Sequence, residues 1–344
     1  MNGIPRVSCS ARPFAVLLVL ALCAPAAHAT CGAEGCPFIR EGVGPRSGRF
    51  AFGMRYQDVT QDVLWDGDAE ANRDEIITEA ARKLSTGKHG EVELYTRTRS
   101  WVAEGRARVN DNLEFTASIP YVQREHRHMI VHGFFYNPNW VDEWKFDGIG
   151  DATVLGHFRG RLSGEGHSIT VQAGVKLATG RRHVPDEERR NLFIPSTLEP
   201  SIRPGSGSTD WIAGVQYARP LPFPRTLPLT ASVLGRINTR GTDDFQVGDV
   251  IQAGLSGGHA PVEWLTLLMQ VNFSAHGSDK SGEAGEAAHS GMRALYWTPG
   301  LSVRIAPALS VYGLFQARVW GHTDDANVVG KSHFLVGTSY TLGR

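Results

Sequence analysis

Three observations predict an all-β chain, a closed antiparallel transmembrane β-barrel of about twelve strands with short turns at one end and long loops at the other. Segments of about ten residues alternate apolar and polar side chains, the period of two of a strand whose faces meet different surroundings. The connections alternate short and long along the chain, as in outer-membrane barrels. After the N-terminal region no stretch has the roughly 20 apolar residues that a spanning helix needs. A soluble sandwich also alternates, but its strands run to about five or six residues and its loops are not sorted by length.

The clearest hairpin lies within 148–180. Ile169, Val171, Ala173, Val175 and Leu177 alternate with Thr170, Gln172, Gly174 and Lys176. The arms meet at Ser163-Gly164-Glu165-Gly166, and the far end opens into a polar segment, 181–207.

In chain order, Arg6 and Arg12 precede an apolar run at 14–22, and Ala27-His28-Ala29 has the small-x-small pattern of a leader cleavage site. We expect a signal peptide over 1–29, a periplasmic segment over 30–48 and the barrel over 49–344. Cys9 and Cys23 belong to the leader; Cys31 and Cys36, in CGAEGC, are expected to form a disulfide in an oxidising compartment. Pro37 stands where a haem-attachment motif has His, and no cofactor is expected. The chain of 344 residues carries 35 basic and 35 acidic side chains, scattered rather than striped, which argues against a nucleic-acid partner. Its 39 glycines suit many turns.

Strand one sets Phe50, Phe52, Met54 and Tyr56 against Ala51, Gly53, Arg55 and Gln57. A short amphipathic helix follows within 69–84, with Ile76, Ile77, Ala80 and Leu84 at helical spacing. Strand two, about 91–106, has Glu91, Glu93, Tyr95, Arg97 and Arg99 on one face. Asn110-Asp111-Asn112 turns the chain into strand three, with Leu113, Phe115, Ala117 and Ile119 outward and Glu114, Thr116 and Ser118 inward. An aromatic-rich segment, 124–147, is then expected to leave the sheet. Strands four and five are the hairpin above, and strand six covers about 208–218. Strands seven to twelve fill the rest, separated by a Pro-rich turn at 220–224, by Gly258–Pro261 and Ala306-Pro307-Ala308, and by longer loops at 274–291 and 321–328.

Four pieces appear in order: IPYVQREHRH at 119–128, GIGD at 148–151, KLATG at 176–180 and PGSGSTDWIAGVQY at 204–217. With them, the chain from residue 90 onward resembles the outer-membrane transporter-like barrels grouped with the phenol meta-degradation pathway protein. The resemblance implies an outer-membrane barrel of a Gram-negative bacterium and passage of small organic molecules; no substrate transfers with it. Such strands commonly end in an aromatic residue, whereas this chain ends Tyr340-Thr341-Leu342-Gly343-Arg344.

The inward faces are expected to carry Arg55, Arg97, Arg99, Lys176, Arg236, Arg304 and Arg318 against Glu91, Glu93, Glu114 and Asp151. A basic excess in a pore selects anions, although such charges also pair across strands and fill a narrow barrel. His126, His128 and His132 have imidazoles suited to zinc or copper, but no second segment offers completing ligands, and loop histidines at the mouth are the plainer reading. The pairs Ser274/His276, Ser290/His289 and Ser332/His333 lack an orienting third group, so no enzyme is expected. The functional expectation is a monomeric channel or transporter-like protein, in contact with outer-membrane lipid, for passive passage of small aromatic or anionic solutes. The alternative is a plugged structural or partner-binding barrel without transport.

Overall fold

The computed structural model describes residues 48–83, 89–132, 135–162, 166–185, 189–190, 198, 200–282 and 290–342. The expected leader, the Cys31–Cys36 segment and parts of the long connections lie outside these residues.

Twelve of the described strands close into one antiparallel barrel: β1 Phe50–Gln61, β2 His89–Arg108, β3 Leu113–His132, β4 Thr153–Arg161, β5 Ser168–Lys176, β6 Asp210–Arg219, β7 Thr226–Ile237, β8 Val250–Val262, β9 Leu265–His276, β10 Met292–Ala306, β11 Leu309–Val329 and β12 Ser332–Leu342. Each pairs with its neighbours in sequence, and β1 meets β12 from Phe50↔Leu342 to Val59↔His333. At the end that holds Phe50 and Leu342, the connections 109–112, 162–167, 220–225, 263–264 and 307–308 are all short. The other end carries the longer excursions.

Alternation sorts the side chains as the sequence predicts. Phe52, Met54, Phe115, Ile119, Val171 and Leu267 stand exposed on the outside with their counterparts on other strands. Together they form a continuous apolar belt, far too large for a water-facing surface and matched to hydrocarbon. Trp101 and Tyr121 lie toward the long-loop edge of the belt, and Trp264 and Phe223 sit on the short turns, the levels that aromatic side chains favour at a membrane interface.

Two strands run past the belt, where the sequence suggested loops. The expected departure at 124–147 does not occur: β3 continues to His132, and a further strand, Phe135–Ile149, pairs back onto its upper half from Tyr121↔Ile149 to His132↔Phe135. The period of two persists through this segment, and the sheet simply continues above the belt. Trp144 and Phe146 are therefore buried in an extension of the sheet. Likewise β11 does not break at Gly321 but runs to Val329, and its upper part pairs with a short strand, Val63–Gly67.

The helix expected within 69–84 is α1, Arg73–Lys83. It starts late because Ala69–Glu70 pairs with Trp65–Asp66, and Asn72 caps it through Oδ1 to the amide of Asp74 at 3.0 Å. Ile77 seats it against Val92, Met129 and Val131 of the extension. An arginine at Val171, in the middle of an outward face, is expected to cost about 2–4 kcal/mol of folding stability in a bilayer; denaturant titration of V171R in liposomes measures it.

Candidate functional site

The inward faces divide the lumen into three levels. At the short-turn end lies a cavity of about 630 Å³, reached by Arg55 of β1, Glu104, Arg106 and Arg108 of β2, Glu114 and Thr116 of β3, and His157, Arg159 and Arg161 of β4, with Asp111 at the turn. Strand pairing places these charges side by side: Arg108 is opposite Glu114, which is opposite His157. Arg55 binds Glu104 at 2.7 Å, whereas Glu114 lies 3.8 and 3.6 Å from the Nε atoms of Arg106 and Arg108. Arg159 and Arg161 have no carboxylate partner among the described residues. Five guanidiniums against three carboxylates leave this vestibule basic.

At mid-height Gln57, Gln270, Thr298 and Gln316 are buried inside the barrel. An apolar cluster of Leu268, Tyr312, Leu314 and Leu335 lies beside them, toward the vestibule. The barrel is packed with side chains at this level.

At the long-loop end, Lys176 is buried between two carboxylates, 3.0 Å from Asp151 and 2.7 Å from Asp210. Asp151 also accepts the amides of Gly180 and Ser206, at 2.8 and 3.0 Å, and the Ser206 hydroxyl at 2.8 Å. The GIGD, KLATG and GSGSTDW pieces thus meet at one buried ion cluster. The glycines have a steric reason: a Cβ on Gly180 would stand 2.7 Å from Gly205 Cα, closer than packed atoms approach. This contact holds the two ends of the connection, at Gly180 and Gly205, against each other. Ile202 and Leu198 pack on Trp144 and Phe146, and Arg124, bonded to Thr98 at 2.9 Å, donates to the Ile202 carbonyl.

Of the residues expected to line the lumen, Arg55, Glu114, Lys176 and Asp151 point inward as described. Arg236 shares the inner face with its buried neighbours Ile212 and Val250. Arg304 follows Ser302 on that face, exposed at the short-turn rim, and Arg318 follows Gln316, its guanidinium 4.1 Å over the Trp65 ring. Arg97 and Arg99 are a correction: they lie on the outer face with Trp101, and Arg97 pairs with Asp58 at 2.7 Å. The cause is a bulge in β2, where Glu93 is opposite His128 but Tyr95 is opposite Arg127. Above the bulge Glu93 shares the face of Arg124, His126 and His128; below it Tyr95, Arg97 and Arg99 face out. The side chain of Glu91 lies outside the described set.

Glu104, Arg106 and Arg108 escaped the sequence reading for the same reason, since an uninterrupted alternation from Glu91 assigns them to the wrong side. Their spacing against Ala103, Gly105 and Ala107 was the available signal.

His126 and His128 are neighbours, with ring centres 5.5 Å apart, but no cluster that could hold a metal forms among the described residues, and the His132 side chain lies outside them. His126 binds the Thr96 hydroxyl at 2.8 Å, and His128 sits 3.4 Å from Asp142. Ser274 and His276 share the inner face of β9.

Burial, with the nearby His128 and Arg124, holds the His126 pKa well below the ordinary 6.5. The unfolded imidazole takes up a proton as pH falls below about 6.5 while the folded one does not. Stability is therefore lost on acidification, and melting curves of H126Q should show a flatter decline below that pH. Replacing Lys176 by Met leaves two buried carboxylates facing each other. K176M should lose about 3–5 kcal/mol, measured by urea unfolding.

No family model matches the chain, and no curated protein matches it in sequence. Among solved structures, an outer-membrane channel from Pseudomonas putida F1 is 9% identical over 89% of this chain and 99% of that one, at a TM-score of 0.57. The NanC porin (7% identical, 83% and 100% covered, TM-score 0.41) and a FadL homologue of Pseudomonas aeruginosa (9% identical, 85% and 90% covered, TM-score 0.41) overlap more loosely and add nothing to that. At such identity what is shared is the architecture: this chain has the fold of an outer-membrane β-barrel channel.

Proposed function

We propose that the protein is a monomeric outer-membrane channel through which small anionic solutes pass passively, without catalysis. The observation that carries this reading is the vestibule, where Arg55, Arg106, Arg108, Arg159 and Arg161 outnumber Glu104, Asp111 and Glu114. A low-dielectric wall concentrates the field of such an excess, so anions are drawn into the barrel and cations are turned away. The apolar belt supports an outer-membrane location. The ordered motifs resembling the barrels grouped with the phenol meta-degradation pathway protein support passage of organic solutes. The export leader, with a Cys31–Cys36 disulfide in the segment behind it, belongs to the same proposal.

A second reading, a plugged barrel that binds a partner without transport, is favoured by the buried layer at Gln270, Thr298 and Gln316 and by the packing of Leu198 and Ile202 on Trp144 and Phe146. Single-channel recording in a planar bilayer separates the two. The channel reading expects unitary conductance steps and a reversal potential displaced toward the chloride equilibrium in a salt gradient. Absence of current from barrels with the folded gel mobility, at either polarity, overturns it in favour of the plug.

A further inference from the structure

The vestibule has two kinds of wall, and charge explains only one. Around β1 to β4 it presents the five arginines. Next to them, across the β12–β1 seam, it is lined by Tyr312 and Leu314 of β11 and Leu335 of β12. These three belong to the apolar cluster with Leu268, all on lumen faces where the same strands otherwise carry Gln270, Ser310 and Gln316. A passage for hydrated inorganic ions is lined by polar or charged rings and gains nothing from leucine and tyrosine lining the same cavity as its arginines. A site for an organic ligand has this composition, an apolar surface with a few polar groups that fix orientation, in a volume of about 300–1,000 Å³. The cavity, at about 630 Å³, falls in that range.

We propose that the vestibule is a binding site for amphiphilic organic acids, small molecules with a carboxylate on one end and an apolar body on the other. The inference rests on the channel reading above and deepens it by naming the solute class. Arg159 and Arg161 hold the carboxylate. They stand two apart on β4, so both guanidiniums face the lumen, and neither has an acidic partner among the described residues. Arg106 and Arg108, two strands away, add to the field but already lie near Glu114. The apolar body lies against Tyr312 and Leu314, away from water. Specificity follows from the pairing of walls: an inorganic anion satisfies only the first, a neutral organic molecule only the second.

The experiment is calorimetric titration of the full, folded barrel in detergent with acetate, butyrate and hexanoate, and with hexanamide as the uncharged counterpart. Affinity should rise about two- to fourfold with each added methylene, and hexanamide should bind at least tenfold more weakly than hexanoate, the loss of a charge-assisted contact. Arg159→Gln with Arg161→Gln should weaken every carboxylate about tenfold while preserving the chain-length slope. Tyr312→Ser should flatten the slope and leave acetate unchanged. Arg161→Gln alone, at an exposed position, serves if the double variant fails to fold. Equal affinity for acetate and hexanoate, or an unchanged hexanoate affinity in the arginine variants, overturns the proposal. The outcomes are independent of the channel reading: hexanoate binding without conductance leaves the site standing and removes the channel, and chloride conductance with no chain-length slope does the reverse.

Discussion

The structure depends on one constraint, that every backbone amide and carbonyl at the level of the apolar belt finds its partner within the chain. In hydrocarbon an unpaired group costs several kcal/mol, so the sheet has to return to its own first strand. The β1–β12 seam does this through ten consecutive register pairs, Phe50↔Leu342 to Val59↔His333. Closure fixes the rest: side chains have only two destinations, and a barrel of twelve strands is narrow enough for inward residues from opposite walls to meet. Hence the inward side chains at mid-height, Gln57, Gln270, Thr298 and Gln316, are polar and buried.

Packing also fixes the described residues above the belt. Lys176 is held between Asp151 and Asp210, and Ile202 and Leu198 pack on Trp144 and Phe146. A buried ammonium is tolerable only with such partners, and Lys176 and its two carboxylates come from three different stretches of the chain. The three strand ends are thereby tied to one another and to Ser206. Among the described residues the barrel is accordingly asymmetric, basic at the short-turn end and tied by buried ion pairs and hydrogen bonds at the other.

How much of this could be read in advance differs by scale. The fold was legible, because alternation such as Phe50, Phe52, Met54 and Tyr56 against Ala51, Gly53, Arg55 and Gln57 depends only on the two-residue period. The length of the strands was not: His126, Arg127 and His128 look like loop residues because they are polar on both faces, yet above the belt both faces of a strand can carry polar groups. Lys176 and Asp151 were found from position alone, but their pairing with Asp210 needed three segments brought together. Of the vestibule arginines, Arg106 and Arg108 were hidden by a single bulge, because it shifts the phase of the pattern begun at Glu91 without altering its period.

That bulge has a further consequence. With one extra residue at Leu94, β2 delivers the carboxylate of Glu93 to the face of Arg124, and keeps Arg97 on the outer face within reach of Asp58. Take the residue away and the ladder turns regular with both faces kept, Glu93 opposite His128 and Tyr95 opposite Arg127; keep Leu94 but pair it regularly, and Glu93 joins the outer face while Arg124 keeps its burial without its nearby acid. A one-residue insertion or deletion in the strand that no bulge absorbs would therefore act as an exchange of charge between the inside and the outside of the barrel, with composition almost untouched. In a wall only one residue thick, length is a form of electrostatics.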